Sequence, residues 1–313
     1  KIPVAYTYHT RYEEYLHHFK LYEAMASGEY PVSRIARYGK EILVPALITA
    51  FSNQCDLGFA PTSTMKDHLL EQGTKTRISV LPTGLDRVSF QYDEMLSSEI
   101  RNMYGNGCPY LFATTARLEK EKNLDFLFRG TARLRDILGQ DFRLMVIGDG
   151  TERRHLEELA RMLGISRQIV FTGKIENTRV RHYLNAADAF LFASKSETQG
   201  IVLLEAMAAG CPVAAVRASG VVDVVRQGIN GYMTEEAPEA FAAAAARLVL
   251  ERGVWSGMSE EARKTAELYE SGRIAALAAE QYGLMTGQKE DAGYEEHGKG
   301  MLVPSILRLF KAA

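Results

Sequence analysis

The sequence predicts an α/β protein with parallel sheets, divided into two domains. Short apolar runs, such as residues 142–147 and 189–193, alternate along the chain with stretches of helical length. Apolar runs of about four to eight residues between turn formers are typical of buried parallel strands. Their alternation with helices indicates repeated strand–helix–strand units. The length of 313 residues fits two domains of ordinary size.

Composition argues against several classes of protein. Apolar residues make up 46% of the chain and charged residues 24%, which is normal for a globular protein. The formal net charge of −2 gives no overall basic surface, so we expect no nucleic-acid partner. Cys55, Cys108 and Cys211 are odd in number and widely spaced, which fits a reducing cytoplasm better than a disulfide framework or a zinc site. No apolar run approaches the roughly eighteen residues of a membrane-spanning helix.

The first part of the chain predicts one domain over residues 1–104. Residues 1–7 already have the pattern of an interior strand, so we expect the start of this domain to be truncated. Ser63 and Thr64 are expected to cap a helix over 65–72, and the turn formers at 105–109 are the expected linker. The remaining elements predicted here are strands at 57–60 and 78–81 and helices at 12–26, 42–53 and 93–104.

The second part predicts a domain over residues 105–265. Its first predicted strand is 110–114, and a turn followed by a helix is expected over 218–225. A continuous helix is expected over 259–285. The other elements predicted here are strands at 142–147, 169–173, 189–193 and 212–216, and helices at 124–138, 152–163, 178–186, 201–208 and 238–250.

Two carboxylates mark the stretch around which the second domain is organised. Glu197 lies in a turn after a predicted strand, and Glu205 lies eight residues later on an apolar helix. A carboxylate in such a helix is costly to bury without a partner. Thr198, Gln199 and Gly200 lie at the helix start, where free N–H groups and the helix dipole favour an anion. A sugar diphosphate has matching chemistry, although two glutamates eight residues apart also occur by chance.

Further candidates follow other predicted strands. Arg117 and Lys122 lie five residues apart in a strand-to-helix turn, where two cations can clamp a phosphate. A solvated charge run is the alternative interpretation. His9 lies where the first strand meets a loop, a usual place for site residues in α/β sheets, although a lone histidine is more often structural.

These residues resemble the signature of retaining glycosyltransferase family 4, the group 1 glycosyltransferases. The resemblance rests on Glu197 and Glu205 with seven residues between them, followed by Ala-Met-Ala-Ala-Gly-Cys-Pro-Val at 206–213. It extends over nearly the whole chain, to about residue 285. It implies the GT-B fold, in which two Rossmann-like domains form an interdomain cleft and the last helix, here within 266–313, crosses back to the first domain.

The resemblance also implies roles for individual residues. Glu197 would contact the transferred sugar and Glu205 the nucleotide ribose. Arg117 and Lys122 would neutralise the departing diphosphate, and His9 would line the site near the sugar and acceptor. The implied donor site is completed by the backbone at Gly173 and Lys174, which contacts the base, and by the helix start at Thr198, Gln199, Gly200 and Ile201. Members of this fold need no bound metal.

The Ser-Glu-Thr-Gln-Gly sequence at 196–200 is most similar to members that transfer glucose from UDP-glucose to diacylglycerol-type lipids. The helix at 12–26 mixes aromatic and basic side chains, which suits a membrane surface but also an ordinary half-buried helix. We therefore expect a cytoplasmic hexosyltransferase at the inner face of a membrane, with a lipid or carbohydrate acceptor. The tail at 301–313 could dock on the protein or touch the membrane. A UDP-sugar epimerase and a non-catalytic UDP-sugar-binding module are the alternative functions.

Overall fold

The structure, a computed structural model, describes residues 2–12 and 37–287, apart from the side chain of Arg252. In this part of the chain the strands are, in order, β1 (Ala5–Thr7), β2 (Leu57–Ala60), β3 (Ile78–Val80), β4 (Tyr110–Thr115), β5 (Phe142–Ile147), β6 (Ile169–Gly173), β7 (Ala189–Phe192), β8 (Val213–Val216) and β9 (Gly231–Thr234). The α-helices are α1 (Val44–Ser52), α2 (Ser63–Glu71), α3 (Glu94–Gly105), α4 (Leu124–Leu138), α5 (Arg153–Met162), α6 (Asn177–Asn185), α7 (Ile201–Ala208), α8 (Pro238–Leu250), α9 (Arg252–Glu267) and α10 (Ser271–Thr286). The predicted alternation of strands and helices is confirmed.

The chain forms two compact units. One contains the described residues up to Pro82 and those from Ile274 onward, and the other is Thr83–Arg273. The predicted boundary at the 105–109 linker differs from the observed boundary at Thr83, because α3 packs within the second unit. Arg101 of α3 donates to the carbonyl of Ala186 at 2.8 Å and pairs with the Asp188 carboxylate at 2.9 Å.

The smaller unit has a parallel three-stranded sheet in the order β1-β2-β3. Phe59 of β2 is fully buried in its core, and Gln281 of α10 accepts hydrogen bonds from Arg77 and Ser79. Helix α2 begins two residues earlier than expected, because the side chain of Thr62 accepts a hydrogen bond from Met65 N and caps the helix. The predicted caps Ser63 and Thr64 therefore lie inside the first turn. The predicted helix at 12–26 and the tail at 301–313 fall outside the described residues, apart from Tyr12.

The larger unit has a parallel six-stranded sheet in the order β6-β5-β4-β7-β8-β9. Fully buried phenylalanines fill both sides of its centre, and Phe112 and Phe142 meet edge to face with ring centroids 5.8 Å apart. Trp255 of α9 covers the opposite end of the sheet from the strand carboxyl ends, where its indole N–H donates to the carbonyl of Asp188 at 2.6 Å.

Two predicted helices are wrong. The expected helix over 259–285 is divided into α9 and α10. The helix is interrupted because the backbone of Leu85 forms hydrogen bonds with the residues between α9 and α10: Leu85 N donates to Tyr269 O at 2.7 Å, and Ser271 N donates to Leu85 O at 2.8 Å. Residues 219–224 form turns rather than a helix. Each helix that the structure describes is too short or too polar to cross a membrane.

Candidate active site

The strand order places the candidate residues at a topological switch point. From β4 the chain moves outward to β5 and β6, and it then returns to the other side of β4 with β7. The loops after β4 and β7 therefore leave the sheet in opposite directions and open a crevice at the carboxyl ends of these strands. Arg117 and Lys122 lie on the first loop, and Glu197 lies on the second.

The loop after β4 approaches the backbone after β5 very closely. A Cβ atom at Gly148 would collide with the carbonyl oxygen of Ala116, and one at Gly150 would collide with that of Leu118. Asn123 ends the loop in a left-handed conformation, with φ of 54°. Its side-chain amide donates to the carbonyl of Ala193 at 3.2 Å and so ties this loop to the end of β7.

The loop after β7 leads directly into α7. Gly200 has φ of 70° and stands at the N-cap position of that helix. No acceptor among the described residues is recorded for the backbone N–H groups of Gln199, Gly200 and Ile201. N–H groups in this position, together with the helix dipole, favour a negatively charged ligand.

A cleft of about 240 Å³ lies between the two loops. Its lining includes Arg117, Lys122, Glu197 and Ile201 from the predicted set, together with Ser194. Lys122 Nζ pairs with Glu197 Oε1 at 2.6 Å, and the two side chains are only 13% and 20% exposed. Arg117 is 59% exposed and pairs with Glu121 at 3.3 Å. Each cation is thus paired with a carboxylate, and a more strongly charged anion such as a diphosphate can displace that carboxylate.

Glu205 lines a second, small cavity of about 30 Å³, together with Ser89, Asn177 and Thr178. Within the described ranges, no hydrogen bond or ion pair of its carboxylate is recorded. Burial raises the pKa of Glu205 from its ordinary value of 4.5 to about 6. Hydroxyl or N–H donors from a ligand would stabilise the ionised form.

The remaining candidates lie in different surroundings. Gly173 ends β6 with φ of 74°, and Lys174 beside it is exposed. Thr198 is half-buried on the loop after β7. His9 is exposed in the smaller unit, two residues after β1 ends.

The side chain of Gln199 has a function that the sequence did not indicate. Its carbonyl accepts from Thr83 N at 2.7 Å, and its amide donates to Thr83 O at 2.9 Å. The partner lies 116 positions away, so no local pattern could have identified it.

Comparison with known proteins identifies the family. The profile of "Glycosyl transferases group 1" matches residues 99–266, more than half of the chain. The chain belongs to the group 1 glycosyl transferases. The matched segment contains both loops of the cleft and α7.

Two curated relatives with the same name match the chain. The chain is 33% identical over 222 residues to the alpha-monoglucosyldiacylglycerol synthase of Streptococcus pneumoniae, which covers 69% of this chain and 46% of the relative. It is 26% identical over 236 residues to the alpha-monoglucosyldiacylglycerol synthase of Acholeplasma laidlawii, covering 74% and 56%. The chain thus spans about half the length of these relatives.

Solved structures confirm the GT-B fold for this group 1 member. The Anabaena protein Alr3699/HepE, in complex with UDP and glucose, superposes with a TM-score of 0.71 at 20% identity, over 77% of this chain and 66% of that one. Sucrose-phosphate synthase from Thermosynechococcus elongatus gives a TM-score of 0.71 at 18% identity, over 91% and 68%.

Proposed function

We propose that the protein transfers glucose from UDP-glucose to a diacylglycerol-type lipid, with retention of the anomeric configuration. The observation that carries this proposal is the cleft between the loops after β4 and β7, where two cations, a carboxylate and a helix N-terminus come together. The names of the two curated relatives support the donor sugar and the lipid acceptor.

The diphosphate of the donor is proposed to lie against Arg117, Lys122 and the free N–H groups of Gln199, Gly200 and Ile201. When the bond between the sugar and the diphosphate breaks, negative charge develops on the leaving UDP. Fixed donors in a half-buried cleft stabilise that charge without reorganising. Because these groups supply the positive potential, the proposal includes no metal ion.

The two glutamates are proposed to bind the hydroxyl groups of the donor. Glu197 accepts from the sugar, and Glu205 accepts from the ribose. The backbone at Gly173 and Lys174 is assigned to the base, and Thr198 to the phosphates. His9 is assigned to the acceptor site. The acceptor attacks the sugar from the same face from which the UDP departs. No covalent glycosyl-enzyme intermediate is proposed, and the protein is assigned to the inner face of a membrane.

The test is a product analysis with the complete gene product, UDP-glucose and vesicles that contain diacylglycerol. An α-linked glucosyl lipid, identified by mass spectrometry and NMR, is the expected result. A β-linked product would overturn retention. An isomerised UDP-sugar formed without acceptor would indicate the epimerase, and tight UDP binding without any transfer would indicate the binding module. Lys122→Ala and Glu197→Ala serve as inactive controls.

A further inference from the structure

We propose that Gln199 is a positioning residue that fixes the loop between β7 and α7 in the geometry required for the donor. This inference rests on the proposed function, because it concerns how the same cleft holds a UDP-sugar. The side chain of Gln199 touches no donor atom in this proposal; only its backbone N–H faces the diphosphate. The side chain acts through the Glu197 carboxylate and the N–H groups of the loop.

The amide of Gln199 uses both of its polar atoms on one residue. It accepts from Thr83 N at 2.7 Å and donates to Thr83 O at 2.9 Å, and the side chain is almost completely buried. Turning this amide toward a donor would leave Thr83 N and O without these bonds. A buried polar group left unpaired costs about 1–3 kcal/mol, so the amide is retained as a structural tie.

Thr83 is itself a fixed point. Two residues later, Leu85 is bonded through its N–H and its carbonyl to Tyr269 and Ser271. Gly84 lies so close to Ser271 that an added Cβ would be 2.7 Å from the Ser271 Cα. The segment that contains Thr83 is thus fixed by contacts with the backbone that connects α9 to α10.

The loop has a second attachment, but that one involves proposed donor-binding groups. Glu197 Oε1 accepts from Lys122 Nζ at 2.6 Å and from Ser194 Oγ at 3.2 Å. A bound diphosphate competes for Lys122, so this attachment weakens when the donor enters. The bonds between Gln199 and Thr83 involve no group assigned to the donor. They therefore keep the loop in place while Glu197 exchanges its partner for the sugar.

The test compares binding of UDP and UDP-glucose to the full chain by calorimetry. The informative quantity is the ratio of the two dissociation constants, because it isolates the contribution of the sugar. Gln199→Met has similar length but no amide, and we expect the sugar's contribution to fall about fivefold, the equivalent of one net hydrogen bond. Asn185→Ala is the matched control: it removes one side-chain bond, to the Gln91 carbonyl, elsewhere in the same unit. Its ratio should not change.

Gln199→Glu provides a second measurement. A protonated glutamic acid has one donor and one acceptor, like the amide, whereas the carboxylate would repel Thr83 O. Lowering the pH should therefore restore the sugar's contribution in Gln199→Glu relative to that of the wild type at the same pH. Titration of Glu205 cancels from the ratio because both ligands carry the ribose, and the comparison with the wild type cancels the ionisation of the terminal phosphate, which UDP has and UDP-glucose lacks.

The outcomes separate this proposal from the function on which it rests. An unchanged ratio in Gln199→Met, or in Gln199→Glu if the methionine variant does not fold, would overturn the positioning role while the donor assignment stands. A wild-type protein that binds neither UDP nor UDP-glucose would overturn both.

Discussion

At the residue scale, Glu205 combines a structural cost with a proposed binding function. It is partly buried, lines a small cavity, and has no recorded partner in the described ranges. Burial therefore disfavours its ionised form. A ligand hydroxyl group would remove part of that cost, so stability and affinity place opposite demands on this position.

We predict that stability falls as the pH rises through the titration range of Glu205. The pKa of Glu205 is about 6 in the folded protein, above the ordinary value of 4.5, so the folded protein binds this proton more tightly than the unfolded chain does. The resulting stabilisation is fully present below pH 4.5 and is lost as the pH rises through 6. Glu205→Gln should remove this dependence and stabilise the protein at pH 7.5 by about 2 kcal/mol at most. Urea denaturation at several pH values measures it, and parallel curves for both proteins would contradict it.

The same group should control nucleotide affinity. We predict that UDP-glucose, whose diphosphate has no ionisation near neutral pH, binds more tightly as the pH rises through about 6, because ionised Glu205 accepts better from the ribose. Glu205→Gln should bind UDP-glucose severalfold more weakly at pH 7.5 and lack this dependence. Calorimetry in the pH range 5–8 is the measurement, and equal pH profiles would refute the ribose assignment.

The ion pair of Lys122 and Glu197 predicts opposite effects of its two partners. Lys122→Ala should weaken UDP binding about tenfold or more, because it removes a charged hydrogen bond and leaves Glu197 to repel the diphosphate. Glu197→Ala should bind UDP more tightly, since Lys122 is freed, but should abolish transfer. The double variant completes the cycle. Additive effects of the two substitutions would show that the pair is not coupled to the nucleotide.

The sequence indicated these charged residues because their chemistry is local. A carboxylate in an apolar helix and two cations after an apolar strand are unusual whatever tertiary structure the chain adopts. It could not indicate the side-chain bonds of Gln199, because these depend on where Thr83 lies. Nor could it show that Glu205 and Glu197 line different cavities.

At the element scale, the backbone of the loop after β7 packs directly against Gly220. This glycine has φ of 76°, and an added Cβ would lie 2.8 Å from Glu197 O and 3.1 Å from Gln199 N. The turn at 219–224, which replaces the expected helix, brings Gly220 to this place. The loop that carries Glu197 therefore depends on a backbone contact that excludes any side chain.

Substitution of Gly220 should test this contact. Gly220→Ala introduces a strained backbone that costs about 1–3 kcal/mol, and it also displaces the loop and weakens UDP-glucose binding. Gly228→Ala is a matched control, because its φ is 73° and nothing lies within 4 Å of its added Cβ. It should show the same strain with normal binding. Equal loss of binding in both variants would exclude a specific effect on the loop.

Helices with a clear apolar pattern and clear ends could be predicted to the residue, as α4, α7 and α8 show. The helix over 259–285 could not, because its interruption is caused by backbone bonds to Leu85. The cap of α2 precedes the predicted pair Ser63 and Thr64 because Ser and Thr occupy positions 62–64 consecutively, and only the backbone conformation of Thr62 identifies it as the cap.

At the scale of the whole molecule, the cleft belongs to one unit. Each cleft residue that we assign to the donor lies within Thr83–Arg273, as does the segment that anchors Gln199. The six-stranded sheet and its helices also supply this unit with its own core. Parallel α/β architecture could be predicted from the alternation of elements, whereas the division at Thr83 depends on packing of α3 that no composition change marks.

We predict that residues 83–273, produced alone, fold and bind UDP within about threefold of the whole chain, since the binding groups and their supports are all present. Transfer should be absent, because His9 and the proposed acceptor side lie elsewhere. Circular dichroism and calorimetry test this, with Lys122→Ala in the same fragment as the control. A fragment that folds but does not bind UDP would contradict the assignment of the donor site to this unit.

The indole of Trp255 has a spectroscopic consequence. It is the only tryptophan of the chain, and it lies half-buried on α9 in the larger unit. Excitation at long wavelength therefore selects one fluorophore, whose emission should shift to the red only when that unit opens. A denaturation curve followed by this emission would separate the loss of the unit that contains the cleft from unfolding elsewhere in the same chain, without any label.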